Sequence, residues 1–182
     1  MTRASHKALV AMALSLAMAG PVRAQDASHP VIAGFGAIMP AKDVANLPDP
    51  AMRYRVAFEI TRAAGDPAEV NPALERVARF VNLLGASGIR PAAGDVVAVI
   101  HGPATSALLN DAEYQSRFHR DNPNSPLIAA LLRAGVSVHV CSYALKNAKI
   151  DRATVAQGVT IDLAAMVTLS TLQLRGWSLL AG

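Results

Sequence analysis

The chain contains one cysteine, Cys141, in the stretch "AGVSVHVCSYALKN", directly behind an apolar, β-branched run. One thiol cannot close an internal disulfide. In an oxidising compartment that leaves a buried and inert side chain, a disulfide between chains, or a free reactive thiol. A thiol attacks as its thiolate, a form favoured by a following helix N-terminus or by a nearby His or Lys. "CSYALKN" can open a helical turn behind Cys141, with Lys146 and Lys149 adding positive potential. The competing reading is a small buried hydrophobe, because free cysteine is among the most buried residue types.

His101 is the second candidate. It follows the apolar run "VVAVI" and precedes Gly102-Pro103. Such a histidine either serves a thiol or ligand, or bonds backbone at a turn. His139 stands two residues before Cys141, on the same side of its strand, and reads as structural. His29 and His119 fall in polar loops. No set of His, Cys and carboxylates has metal-ligand spacing. No glycine-rich phosphate loop follows a strand. "GASG" joins a helix to a loop, so it is no nucleophile elbow. Neither metal nor organic cofactor is expected. Asn122, Asn124 and Ser125 read as a turn plus helix cap.

Both candidates need strands to hold them. "YRVAFEIT" (54–61) alternates Tyr54, Val56, Phe58 and Ile60 with Arg55, Ala57 and Glu59, a strand with one face more buried. A helix follows, with Asn71 as N-cap, Pro72 at its first position and Gly85 as its left-handed stop. Val96–Ile100 is a near-continuous apolar strand, as in a parallel sheet covered on both faces. A helix is expected over Ala104–Phe118, and a compact one over "SPLIAALLRAG", capped by Asn124 or Ser125 and ended by Gly135. "VSVHV" is the strand before Cys141, and a loop or short helix spans Tyr143 to Ile150. "IDLAAMVTLSTLQLRG" reads as a long helix with Leu163, Met166, Val167, Ser170 and Leu174 on one face. "WSLL" closes as a short strand. Alternating strands and helices argue for an α/β layered fold with a mostly parallel sheet. In such a sheet, binding groups gather beyond the carboxyl ends of the strands. His101 and Cys141 both fall there.

The 182 residues suggest one domain. The chain is 52% hydrophobic but only 4% aromatic, a balance that suits helices on a sheet rather than a disordered chain. Residues 1–24 combine a basic start, the uncharged run "ALVAMALSLAMAG" and a Val22-Arg23-Ala24 end. That order is a secretory signal peptide cleaved after Ala24, leaving no membrane anchor. Loss of Arg3, Lys7 and Arg23 with it lowers the net charge from +4 to +1, which removes the electrostatic case for nucleic-acid or membrane-surface binding. Residues 25–53 form a Gly-, Pro- and Asp-rich arm, extended or looped, with one short strand near Val31–Ile38, lying across the domain or against another subunit. Residues 54–182 form the domain.

The segments "HPVIAGFGAI", "YRVAFEIT", "VARFVNLLGASGI", "DVVAVIHGPATSALL", "NPNSPLIAALLRAGVSVHVCSYAL" and "LSTLQLRGW", in that order, resemble exported members of the DsrE/DsrF-like family. The resemblance runs from about His29 to Trp177. It implies a three-layer α/β/α domain that assembles into homo-oligomers, trimers or hexamers. It also implies sulfur carried as a persulfide on a cysteine and passed to a partner protein. Cys141 is the residue that matches that role, and His101 matches a recurring position. Many exported relatives have Gly-Gln after the cysteine, where this chain has Ser142-Tyr143. The expected function is therefore periplasmic sulfur relay, with Cys141 as nucleophile and persulfide carrier. His101 and the backbone after Cys141 would stabilise the charged sulfur, and a sulfur donor or acceptor protein would be the partner. The alternative is a non-enzymatic oligomeric module that binds a small molecule or a partner in a pocket lined by Cys141.

Overall fold

The computed structural model describes residues 27–39 and 43–181. The expected signal peptide, residues 1–24, lies outside the described residues. Five strands, β1 (Val56–Ile60), β2 (Val96–Ile100), β3 (Ser137–Cys141), β4 (Thr160–Asp162) and β5 (Ser178–Ala181), form one sheet in the order β4-β3-β2-β1-β5. Every neighbouring pair is parallel. The helices are α1 (Pro72–Ala86), α2 (Asp111–Phe118), α3 (Ser125–Arg133), α4 (Ser142–Asn147) and α5 (Ala165–Leu174).

The topology explains which face each helix covers. From β1 to β4 the chain steps one way across the sheet, then returns to the far side of β1 for β5. Parallel crossovers are right-handed, so the reversed step carries α5 to the opposite face from the earlier helices. Burial follows this division. Val56, Phe58, Ile60, Val138 and Val140 pack with Leu74, Val77 and Val81 of α1 and Leu127 and Leu131 of α3. Ala57, Val97, Val99 and Cys141 pack with Ala144, Ala165 and Leu169 on the other face. The result is an α/β fold with helices on both sides of a parallel sheet.

β2 has the expected bounds, and all five of its residues are buried. Asn71 caps α1, its Oδ1 accepting from the Ala73 and Leu74 N–H groups. The helix, however, runs through Gly85 to Ala86. Gly88, at φ +76°, takes the left-handed position instead, and the Ile89 N–H bonds back to the Leu84 carbonyl. Gly85 has a different reason to be glycine. A Cβ there would clash with the Val31 side chain, so the arm packs on α1 where position 85 has no side chain.

That arm forms no strand at Val31–Ile38; its residues make turns and bends across α1. Asn82, fully buried in α1, takes the place of a neighbouring strand. Its Oδ1 accepts from the N–H groups of Val31 (3.0 Å) and Ile32 (2.8 Å). Its amide donates to the carbonyls of Phe35 (2.9 Å) and Gly36 (3.0 Å). A side chain thus satisfies backbone groups that burial would otherwise leave unpaired.

The helix expected over Ala104–Phe118 is two pieces, a 3-10 segment over Gly102–Leu108 and then α2. Leu109 between them is extended (φ −68°, ψ 144°) and bridges Val155. The Asn110 N–H goes to the Thr154 carbonyl, while its side chain caps α2 at the Glu113 N–H. A long-range backbone bond replaces the helical one, so the helix breaks there. The long last helix begins at Ala165 rather than Ile161, because Thr160–Asp162 joins the sheet edge beside β3. Its buried residues are Ala165 and Leu169. Leu163, Met166, Val167 and Leu174, which helical spacing groups on one face, stand exposed.

The cluster at Asn122, Asn124 and Ser125 is more than a turn and cap. Asn124 occupies the N-cap position of α3 but makes no capping bond. Its Oδ1 accepts from the Asn71 N–H (2.7 Å). Asn122 Oδ1 accepts from Asn124 N (2.9 Å) and Nδ2 (2.9 Å), and the Asn122 amide donates to the carbonyls of Ala107 (2.9 Å) and Leu109 (2.6 Å). All three asparagines are buried. They tie the starts of α1 and α3 to the segment that follows His101.

Candidate functional site

β2 and β3 run in parallel register, with Val99 opposite His139 and Ile100 opposite Val140. One step further along both strands sets His101 beside Cys141. The two residues line one cleft of about 490 Å³ beyond the carboxyl ends of the strands. Gly102 and Pro103 form one side of it. Tyr143, Ala144, Asn147 and Ala148, from α4 and the residue after it, form the other.

The backbone fixes His101 firmly. Its N–H donates to the Ile60 carbonyl and the Ala104 N–H to the Thr61 carbonyl, so the end of β1 holds the turn after β2. Gly102 sits at φ +59°, a conformation that glycine adopts without a Cβ penalty. The His101 ring is oriented by Glu59, whose Oε1 lies 3.0 Å from Nε2. A carboxylate accepts there, so Nε2 carries the proton and Nδ1 is left as an acceptor.

Cys141 is unpaired and 7% exposed. It ends β3 and precedes α4 as its N-cap, without a capping bond from its own side chain. Both ends of α4 are held. The Ser142 hydroxyl donates to the Leu163 carbonyl (2.7 Å), which joins the start of α4 to the segment before α5. Arg117 donates to the carbonyls of Ala148 (3.2 Å) and Lys149 (2.8 Å) beyond its end, and is itself braced by Glu113. Lys146 and Lys149, expected to add positive potential, are not among the cleft-lining residues.

A second imidazole–carboxylate pair lies on the other side of Cys141. Asp162 is the direct register partner of Cys141 across β3 and β4. His139 Nδ1 lies 2.8 Å from Asp162 Oδ2, and the Thr168 hydroxyl donates to the same oxygen at 2.6 Å. His139 thus has the structural role expected of it, tying β3 to β4 and, through Thr168, to α5. Along one face of the sheet the order is Glu59, His101, Cys141, Asp162, one from each successive strand end.

The two carboxylates escape a reading of the sequence. Glu59 stands in the alternating pattern of "YRVAFEIT" where a solvent-facing residue belongs, and Asp162 lies in a segment that looks helical. The signal that finds Glu59 is the one that found His101, a strand-end residue on the less apolar face. Asp162 becomes visible only once β4 is recognised as a strand. Among the described residues, no group of three or more His, Cys, Asp or Glu side chains is arranged to hold a metal ion. No helix among them is long and apolar enough to cross a membrane.

Residues 55–181 match the sequence profile of the DsrE/DsrF-like family. No protein of curated function matches the chain. Among solved structures, a protein of unknown function, MTH1491 from Methanobacterium thermoautotrophicum, is similar with a TM-score of 0.53 at 20% identity. The match covers 71% of this chain and 99% of that one, and it is a likeness of fold.

Proposed function

The chain belongs to the DsrE/DsrF-like family, and from that premise we propose that it is an exported sulfur carrier whose Cys141 holds sulfur as a persulfide. The observation that carries this reading is the shared cleft: the chain's one thiol and an imidazole braced by a carboxylate line the same 490 Å³ space at the strand ends.

The chemistry balances without an external oxidant. A donor persulfide, R–S–SH, enters the cleft. His101 Nδ1 takes the Cys141 proton, and the imidazolium formed is stabilised by Glu59 through Nε2. The thiolate attacks the outer sulfur, a new S–S bond forms, and the donor's S–S bond breaks. R–S⁻ leaves and takes the proton from His101, giving R–SH and Cys141–S–SH. The backbone at the start of α4 adds N–H groups near the charged sulfur. Passing the sulfur to an acceptor thiol is the same reaction in reverse.

We also read the exposed side chains of Met166 (75% exposed), Val167, Leu163 and Leu174 (89%) as the face through which copies of the chain assemble. α5 carries no charged residue, so two such faces meet without like-charge repulsion. Exposed apolar side chains grouped on one element favour that reading, since large apolar patches are features of interaction surfaces.

Intact-mass analysis after treatment with an organic persulfide is the test. The native chain gains one sulfur atom, Cys141→Ser gains none, and His101→Ala gains it more slowly. The alternative reading, a binding module with Cys141 as a wall residue, draws on the low exposure of Cys141 and the apolar lining from Pro103, Ala144 and Ala148. Saturable ligand binding by Cys141→Ser, with no sulfur gained by the native chain, supports that alternative.

A further inference from the structure

Cys141 stands between two carboxylates. Asp162 is its register partner on β4, at the usual interstrand spacing of about 4.8 Å. Glu59 lies on the other side, reached through His101. Each carboxylate is paired with one imidazole, Glu59 with His101 and Asp162 with His139. With both histidines neutral the four groups sum to a charge of −2, and with both protonated they sum to zero. While both carboxylates are ionised the set is never positive. The cleft lining itself holds no Lys, Arg, Asp or Glu; the two carboxylates stand behind it, beside His101 and Cys141 in the sheet, and Lys146 is on the adjoining helix.

From this we infer that Glu59 and Asp162 are specificity-determining residues. They form a charge filter that admits uncharged or thiol-borne sulfur to Cys141 and turns away sulfur oxoanions of the thiosulfate class. The inference rests on the sulfur-carrier reading for what the donor delivers, but the filter is a property of the site itself. A dianion approaching the thiolate meets repulsion from the nucleophile and from the carboxylates behind it. An uncharged persulfide meets neither. Neither residue touches the reacting sulfur; both act through the local field.

Iodoacetamide and iodoacetate separate charge from size, being nearly the same shape with one neutral and one anionic. Because Cys141 is the only cysteine, each reagent reports on that thiol alone. The quantity read is the ratio of the two alkylation rates, in the native chain and in the same chain denatured, in one buffer. The expected native ratio exceeds the denatured one by about fivefold, the size of one unit-charge repulsion at contact distance in water. Added salt lowers the native ratio in the unaltered protein. Asp162→Asn lowers it by speeding iodoacetate while leaving iodoacetamide little changed. Glu59→Gln, whose carboxylate also braces His101, slows both reagents and is read by the ratio alone, which falls. A merely structural loss changes both rates alike.

A native ratio equal to the denatured one overturns the inference. So does a raised ratio that neither variant nor salt moves, since size rather than charge then selects. Loss of sulfur loading with the ratio still raised removes the carrier reading and leaves the filter standing. Reaction with neither reagent until denaturant is added removes both.

Discussion

Replacing Asn122 by Ala separates a buried structural tie from an ordinary helix cap. The side chain makes four hydrogen bonds between 2.6 and 2.9 Å, two donated to the carbonyls of Ala107 and Leu109 and two accepted from Asn124. Asn122 is only 3% exposed, so the orphaned partners cannot simply turn to water. A buried polar group left unpaired costs roughly 1–3 kcal/mol. Four are at risk here, the two carbonyls, the Asn124 N–H and the Asn124 side-chain amide, and a water entering the vacated space offsets part of the loss. The expected destabilisation is about 3–4 kcal/mol, against about 1 kcal/mol for loss of a cap. At about 2–4 °C per kcal/mol for a chain of this size, the melting temperature falls by roughly 6–16 °C. Urea unfolding followed by far-UV circular dichroism measures it, with unchanged m-value as the check that the same transition is observed. The same tie holds the segment following His101, so the variant also slows Cys141 modification. A loss under about 1 kcal/mol refutes the reasoning and returns Asn122 to the role of a turn residue.

Three further outcomes follow. The Arg53 hydrogen bonds, with its charge, hold the Asp95 carboxyl below its ordinary value against the opposing effect of burial. Its folded value is depressed, so its contribution to stability is full above about pH 4 and is lost as pH falls further; Asp95→Asn, measured by urea midpoints from pH 6 to 3, is less stable at pH 6 and loses less on acidification. Met166→Asp places a charge on the exposed face of α5, and light scattering shows a smaller assembly than the unaltered chain if that face is the interface; equal masses remove the assembly proposal. The exported chain begins at Gln25 in N-terminal sequencing, and a chain retaining Met1 in a membrane fraction contradicts the export proposal.

The sequence speaks most clearly where local patterns and tertiary structure agree. "VVAVI" is continuous and apolar because β2 is covered on both faces, and its limits match the structure residue for residue. Asn71-Pro72 starts a helix by local chemistry alone. The misreadings fall where a distant partner decides. Gly85 has the local character of a helix stop, but Val31 of the arm fixes its use. Leu109 and Asn110 fit a helix until Thr154 and Val155 compete for their backbone. Asn82 gives no sign in the sequence that it will hold the arm.

The site divides in the same way. Cys141 and His101 were legible because each ends an apolar strand, and strand ends share a rim in a parallel sheet. Glu59 and Asp162 were not, because a carboxylate in an alternating segment looks solvated. Only the register of β1 with β2 and of β3 with β4 brings them beside those two residues. The α5 stripe shows the limit of periodicity. Helical spacing identifies an apolar face, but not whether its own sheet or another copy of the chain covers it.

Sulfur held and then released by the native protein tests the central claim most directly. The mature chain is loaded with an organic persulfide, separated from excess donor without denaturant, weighed intact, and then offered an acceptor thiol. The account predicts one sulfur atom per chain, absent in Cys141→Ser, and return to the starting mass as the acceptor becomes persulfidated. A native chain that gains no sulfur, with Cys141 modified only in denaturant, contradicts it and identifies the thiol as a core residue.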